Sequence, residues 1–129
     1  MSDLFQCLRL NRNLLKLRLS GVSLSQNRSI DVLADFLTQN DTLTDLDLSH
    51  SSLQVGQMIQ IFAALPGTMN LTYLNIAFNT IEFVRAPEPA NELFQLMSNF
   101  FETNEKLVHL DLSGCNFGEK IVEIGPAIA

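Results

Sequence analysis

Four copies of one eleven-residue phrase govern what this chain can fold into. They read LLKLRLSGVSL from Leu14, LTDLDLSHSSL from Leu43, LTYLNIAFNTI from Leu71 and LVHLDLSGCNF from Leu107. Each has an aliphatic residue at its first, fourth and sixth positions and an apolar one at its eleventh. The starts lie 29, 28 and 36 residues apart. Alternation in the phrase reads as a short strand, because side chains two residues apart leave a strand on the same face. A strand-plus-helix repeat of this length builds a solenoid, in which each unit buries its apolar face only against its neighbours.

Between the phrases the apolar period changes to that of a helix. Ile30, Leu33, Ala34 and Leu37 fall on one helical face, as do Met58, Ile61, Phe62 and Leu65, and then Phe94, Met97 and Phe101. Leu4, Phe5 and Leu8 predict a helix before the first strand, capped by Ser2 or Asp3. Ile121, Ile124 and Ile128 predict another after the last strand, which Gly125-Pro126 interrupts. Stacked units form columns such as Leu8, Leu37, Leu65 and Phe101, or Leu4, Leu33, Ile61 and Met97. Methionine and aromatic residues in these columns read as core filling. Asn11, Asn40 and Asn104 each stand three residues before a first leucine, where a side chain bonds nearby backbone to make a turn.

The third unit is the long one, and its excess falls in 82–89. Pro87 and Pro89 preclude a regular helix there and predict an extended excursion, with the helix resuming near Ala90. Insertions in repeat proteins map to loops, and loops carry binding. Phe83, Val84 and Arg85 are the candidate contacts, although a drifted insertion without function fits as well.

The pattern resembles the leucine-rich repeat, specifically the ribonuclease-inhibitor-like subclass, whose units have this length and a full helix opposite each strand. The resemblance implies a right-handed α/β solenoid over residues 1–129, with a parallel sheet of about four strands on the concave side and helices on the convex side. The family's ninth position usually holds Asn or Cys, whose polar group serves the bend after the strand. Here Val22, Ser51, Asn79 and Cys115 occupy it, so only the last two fit and the first unit is expected to have a looser bend. The architecture serves nuclease inhibition, immune sensing, actin regulation, axonemal scaffolding and activation of small GTPases. Fold alone does not choose among them.

Composition narrows the field. With 129 residues, 47% of them hydrophobic, the chain has enough apolar material for the core of one domain. No run approaches the ~18 apolar residues of a membrane span, and Met1-Ser2-Asp3 leads into no secretory signal. Cys7 and Cys115 lie on opposite sides of four layers, each roughly 4.8 Å thick. That separation is beyond the ~7 Å a disulfide tolerates. Two free thiols point to an intracellular, cytoplasmic setting, and the Asn-x-Ser/Thr triplets at Asn27, Asn40 and Asn70 read as chance.

The net charge of −6 is unevenly spread. Through Arg28 there are five basic residues (Arg9, Arg12, Lys16, Arg18, Arg28) against Asp3 alone; beyond it there are thirteen acidic and three basic residues. The plain reading is an uneven solvated surface. The sharper one is a basic end that docks on an acidic partner or an acidic neighbouring segment. So small a group of basic residues, without interleaved aromatics on an acidic protein, argues against nucleic-acid binding.

In the implied architecture, side chains at the third, fifth, seventh and eighth positions of each phrase point out of the concave face. The third-position column is Lys16, Asp45, Tyr73, His109, and the fifth is Arg18, Asp47, Asn75, Asp111. The seventh is Ser20, Ser49, Ala77, Ser113, and the eighth is Gly21, His50, Phe78, Gly114. Aromatic anchors inside a polar rim have the composition of a protein-binding hot spot. The candidate contact residues are therefore Lys16, Arg18, Asp45, Asp47, Tyr73, Asn75, Phe78, His109 and Asp111, with Phe83 and Arg85 from the loop. Exposed strand positions must also hold something, whatever the function.

Nothing in the chain reads as catalytic. Asp47, Ser49 and His50 have hydrolase-triad types but lie along one strand, where they are expected to splay apart. His50 and His109 sit in different columns two layers apart, too far to share one metal ion. There is no Gly-rich phosphate loop and no CxxC motif. The expectation is a non-catalytic protein–protein interaction module without cofactor or metal, serving as a scaffold or a subunit of a larger assembly. Regulation of an enzyme, of the small-GTPase-activator or nuclease-inhibitor type, is the alternative. Neither end resembles a polar cap, so the chain is expected to be part of a longer array or to have its ends covered by other chains. A structural role in a filament or axoneme, bound through those ends, is a third reading.

Overall fold

The computed structural model describes residues 13–24, 27–79 and 87–115, with the side chains of 27–28 and 87–90 outside that description. Strand β1 (Lys16–Arg18) is followed by helix α1 (Asn27–Gln39), β2 (Asp45–Asp47) and α2 (Val55–Ala64). A 3-10 turn (Leu65–Gly67), β3 (Tyr73–Asn75), α3 (Pro87–Thr103) and β4 (His109–Asp111) complete the order. The strands form one parallel sheet in the order β1-β2-β3-β4. Lys16 pairs with Asp45, Asp45 with Tyr73 and Tyr73 with His109. The four phrases are thus in register, position for position.

Register places the aliphatic columns against the helices. Leu43, Leu46, Leu48, Leu71, Leu74 and Ile76 are fully buried, and Leu17 and Leu19 nearly so. From the helices come Ile30, Leu33 and Leu37, then Met58, Ile61 and Phe62, then Leu93, Phe94, Met97 and Phe100, all buried. Each fully buried side chain of this size contributes about 1.5–3 kcal/mol of transfer free energy. Phe62 meets Phe100 and Phe101 edge-on, with ring centroids 6.0 Å apart in both pairs. Helical spacing did not single out Phe36, Leu93 and Phe100 as core, and Ala34, expected in it, is only half-buried. Leu65 belongs to the 3-10 turn rather than to α2, since Pro66 removes the amide that another helical turn needs.

The expectation for the long unit is overturned. The prolines of the long unit do not hold off the helix until Ala90; α3 starts at Pro87 itself. A proline in the first turn carries no penalty for its missing N–H, because those amides have no intrahelical acceptor, and its fixed φ suits the helix. The rest of the expected excursion, 82–86, lies outside the described residues. So do the helices expected around Leu4 to Leu8 and beyond Phe117, as well as Cys7 and Asn11.

Polar side chains stitch the units together on both rims of the sheet. Where the strands end, each ninth-position group from the second phrase on donates one unit back, to a sixth-position carbonyl. Ser51 Oγ bonds Leu19 O at 3.1 Å, Asn79 Nδ2 bonds Leu48 O at 2.9 Å and Cys115 Sγ bonds Ile76 O at 3.0 Å. Ser51 therefore does what was expected only of Asn79 and Cys115: a hydroxyl reaches the same carbonyl. Asn79 also accepts from the amides of Ser51 and Leu53, both at 3.0 Å, and so ties its own bend to the preceding one.

Where the strands begin, Asn40 Oδ1 accepts from the Thr42 and Leu43 amides, and Asn104 Oδ1 from those of Lys106 and Leu107. These are the expected turns. In the third unit Thr68 fills the place, its Oγ1 donating to Leu65 O. A strap also crosses this rim: Lys106 Nζ donates to Asn70 Oδ1, and Asn70 Nδ2 donates to Asp41 O.

Candidate functional site

Pairing in register brings eight of the eleven predicted contact residues onto one face. Lys16, Asp45, Tyr73 and His109 form one row, and Arg18, Asp47, Asn75 and Asp111 form the next. Phe78 stands beyond them, after β3. Phe83 and Arg85 lie outside the described residues. The seventh-position row departs from expectation in the two middle units, where Ser49 and Ala77 are buried rather than facing out. Small residues there are covered by their neighbours: Ser49 Oγ lies 2.9 Å from Ser20 Oγ and donates to Asp47 Oδ1 at 2.7 Å. Asp47 and Ser49, expected to splay apart, therefore meet. His50 stacks on Phe78.

The eighth position is where the backbone reverses. All four of its residues have positive φ: Gly21 at 79°, His50 at 53°, Phe78 at 59° and Gly114 at 67°. Glycine adopts this region freely, whereas a residue with a Cβ gives up about 1–2 kcal/mol. Ladder bonds hold the conformation: the amide of Gly21 donates to Ser49 O, that of His50 to Ala77 O and that of Phe78 to Ser113 O. At positions 50 and 78 the chain thus carries a ring where glycine would fit without strain.

Those rings are ordered against each other. His50 and Phe78 stack with centroids 4.6 Å apart and planes 12° from parallel. In the third-position row Tyr73 and His109 stack at 4.6 Å and 6°. The Arg18 guanidinium carbon lies 5.9 Å from the Tyr73 ring centroid. Phe78 is 54% exposed despite its partners. Two aromatic pairs therefore flank the fifth-position row, both involving β3 or the bend that follows it.

The fifth-position carboxyl and amide groups have local duties as well. Asp47 Oδ1 accepts from the Ser49 amide, Asn75 Oδ1 from that of Ala77, and Asp111 Oδ1 from that of Ser113, each closing the turn out of its strand. The bonds from Ser113 hold the Asp111 carboxyl below its usual range, with a smaller contribution from His109. Lys16 Nζ is 4.0 Å from Asp45 Oδ2. Burial pushes the Cys115 thiol upward, so it is a poor nucleophile.

Sequence reasoning found the rows but not the pairing of their rings. His50 and Gly114 stand in the eighth-position row but are not among the eleven expected contact residues; that shared position was the signal for both. Among the described residues no group of three or more His, Cys, Asp or Glu is placed to hold a metal ion. Among them, too, no helix is long and apolar enough to cross a membrane.

Comparisons with known proteins bear on the fold. A family model described as a leucine-rich repeat matches residues 68–82 and 103–123. No curated protein sequence matches the chain. Among solved structures, one described as leiomodin-1 actin-binding site 2 superposes with a TM-score of 0.70 at 15% identity, covering 97% of this chain and 70% of that one. The tropomodulin C-terminal domain of Caenorhabditis elegans superposes with a TM-score of 0.57 at 12% identity, covering 98% and 90%. In-register phrases, parallel strands and these likenesses together give the chain the fold of a leucine-rich repeat protein.

Proposed function

We propose that the chain is a non-catalytic protein-binding module whose contact surface is the concave face around Tyr73 and Phe78. The observation that carries this reading is Phe78 itself. A bulky residue held at positive φ with its ring largely in solvent lowers stability, and strain kept at an exposed aromatic is characteristic of binding sites. Stacking against His50 holds that ring in one place, so little side-chain freedom is lost on contact.

Actin is the first partner to test, because the similar leiomodin-1 structure is described as an actin-binding site. Affinity capture and actin co-sedimentation, comparing the wild type with Tyr73→Ala/Phe78→Ala, address the surface and the partner separately. Loss of a bound protein with an unchanged circular-dichroism spectrum supports the concave face. Retention of every partner at unchanged affinity sinks it. We further assign the ribonuclease-inhibitor-like subclass, on units of 28 to 29 residues with a full helix opposite the strand. An experimental structure without such helices would remove that assignment. The buried free thiol of Cys115 supports an intracellular setting, which microscopy of the tagged chain tests.

A further inference from the structure

Among the described residues four large apolar side chains are exposed, and two of them occupy the same place in the repeat. Leu15, 57% exposed, and Val108, 87% exposed, are the second residues of the first and last phrases. The two inner phrases have Thr44 and Thr72 there, half-buried between neighbouring units. An apolar residue thus flanks each outer edge of the sheet as the described residues build it, and a polar one each inner junction.

The backbone at the two edges is complementary in the same way. At every inner junction a second-position carbonyl accepts from the second and third amides of the next unit. Leu15 O takes Thr44 N and Asp45 N, Thr44 O takes Thr72 N and Tyr73 N, and Thr72 O takes Val108 N and His109 N. Among the described bonds Val108 O lacks such donors, and the amides of Leu15 and Lys16 lack such an acceptor. Charge matches too, with Arg18 on the β1 edge and Asp111 at the corresponding position of β4.

We propose that β4 of one copy docks in register on β1 of a second copy, continuing the parallel sheet across the junction. Val108 then packs beside Leu15, His109 lies beside Lys16, and Asp111 pairs with Arg18 as Asp45 already pairs with Lys16 inside the chain. The contact is head-to-tail, so each copy keeps one edge open and growth does not stop at a dimer. Burial of the two exposed aliphatics drives it, together with capture of edge amides that have no strand partner among the described residues. The junction shares Lys16, Arg18, His109 and Asp111 with the concave rows but uses neither Tyr73 nor Phe78, so it is tested apart from the reading built on those two.

The test is sedimentation velocity on the full chain over about a hundredfold range of concentration, because a heterologous contact populates larger species by mass action. Wild-type chain is expected to pass from monomer to dimer and beyond. Leu15→Asp and Val108→Asp alter side chains that touch little, so both fold, as circular dichroism verifies, and each alone stays monomeric. Mixed in equal amounts, they form a dimer and nothing larger, because each contributes one intact edge. A wild-type chain that remains monomeric throughout overturns the proposal. So does a mixture that fails to dimerise, or a Leu15→Asp chain that associates like wild type, which would mean that β4 edges pair with each other.

Discussion

The ring of Phe78 lies on the backbone of Gly114, so closely that a Cβ built on the glycine would come 2.7 Å from Phe78 Cε1. Position 114 is thus held to glycine twice over, by its φ of +67° and by the ring above it. Gly114→Ala is expected to lower stability by about 1–3 kcal/mol, since strain and overpacking coincide. Urea denaturation followed by circular dichroism measures it. A loss no larger than that of an ordinary surface substitution would show that Phe78 does not rest there.

Position 78 reverses a familiar ranking. Phe78→Ala and Phe78→Gly both remove the ring and its stacking with His50, but only glycine also relieves the left-handed backbone. The glycine variant should be the more stable of the two by roughly 1 kcal/mol, opposite to the usual order of Ala over Gly. Thermal unfolding of the pair decides it. An alanine variant of equal or greater stability would mean that the bend does not need positive φ.

Asn79 is the most heavily used polar side chain of the sheet's bends. Asn79→Ala leaves the Ser51 and Leu53 amides and the Leu48 carbonyl without it, in a fully buried place. The expected cost is about 2–4 kcal/mol, because unsatisfied buried groups bear the full desolvation penalty. Ser51→Ala, which removes one donor and orphans no amide, should cost nearer ~1 kcal/mol. Equal losses in a denaturant titration of the two variants would contradict this ladder.

The Asp111 carboxyl gives a pH signature of known sign. Its bonds from Ser113 depress the folded-state pKa below the ordinary value of 3.8. The stabilisation is therefore fully present above that value and is lost as pH falls through the lower folded one. Exposure keeps the effect small. In Asp111→Asn the amide oxygen still closes the turn, as Asn75 does natively, but nothing titrates. The stability difference between wild type and this variant should shrink from about pH 5 to pH 2. A difference that stays constant over that range would remove the assignment.

The architecture was legible because leucine spacing and strand register report the same physical fact: each aliphatic must meet its counterpart one layer away. Leu17, Leu46, Leu74 and Leu110 pair as the phrases predict. The concave rows follow from that register. Less legible were features set by backbone torsion or by which atom a side chain offers. The positive φ at His50 and Phe78 is hidden behind residues that ordinarily avoid it. Ser51 was passed over because residue type stood in for hydrogen-bonding capacity. Pro87 was read as a helix breaker without regard to where in the helix it falls. The buried Ser49 and Ala77 depend on neighbours two units wide, which no single phrase reveals.

The strap of Lys106, Asn70 and Asp41 has a mechanical meaning. It runs across three successive units on the rim where the strands begin, while the Ser51, Asn79 and Cys115 bonds run across the rim where they end. Splaying neighbouring units apart at either end of the strands must lengthen one tether or the other. The spacing of the rows that any partner meets is therefore held by loop side chains as well as by the leucines. Loop substitutions that leave every leucine in place would change the shape of the concave face before they changed its chemistry.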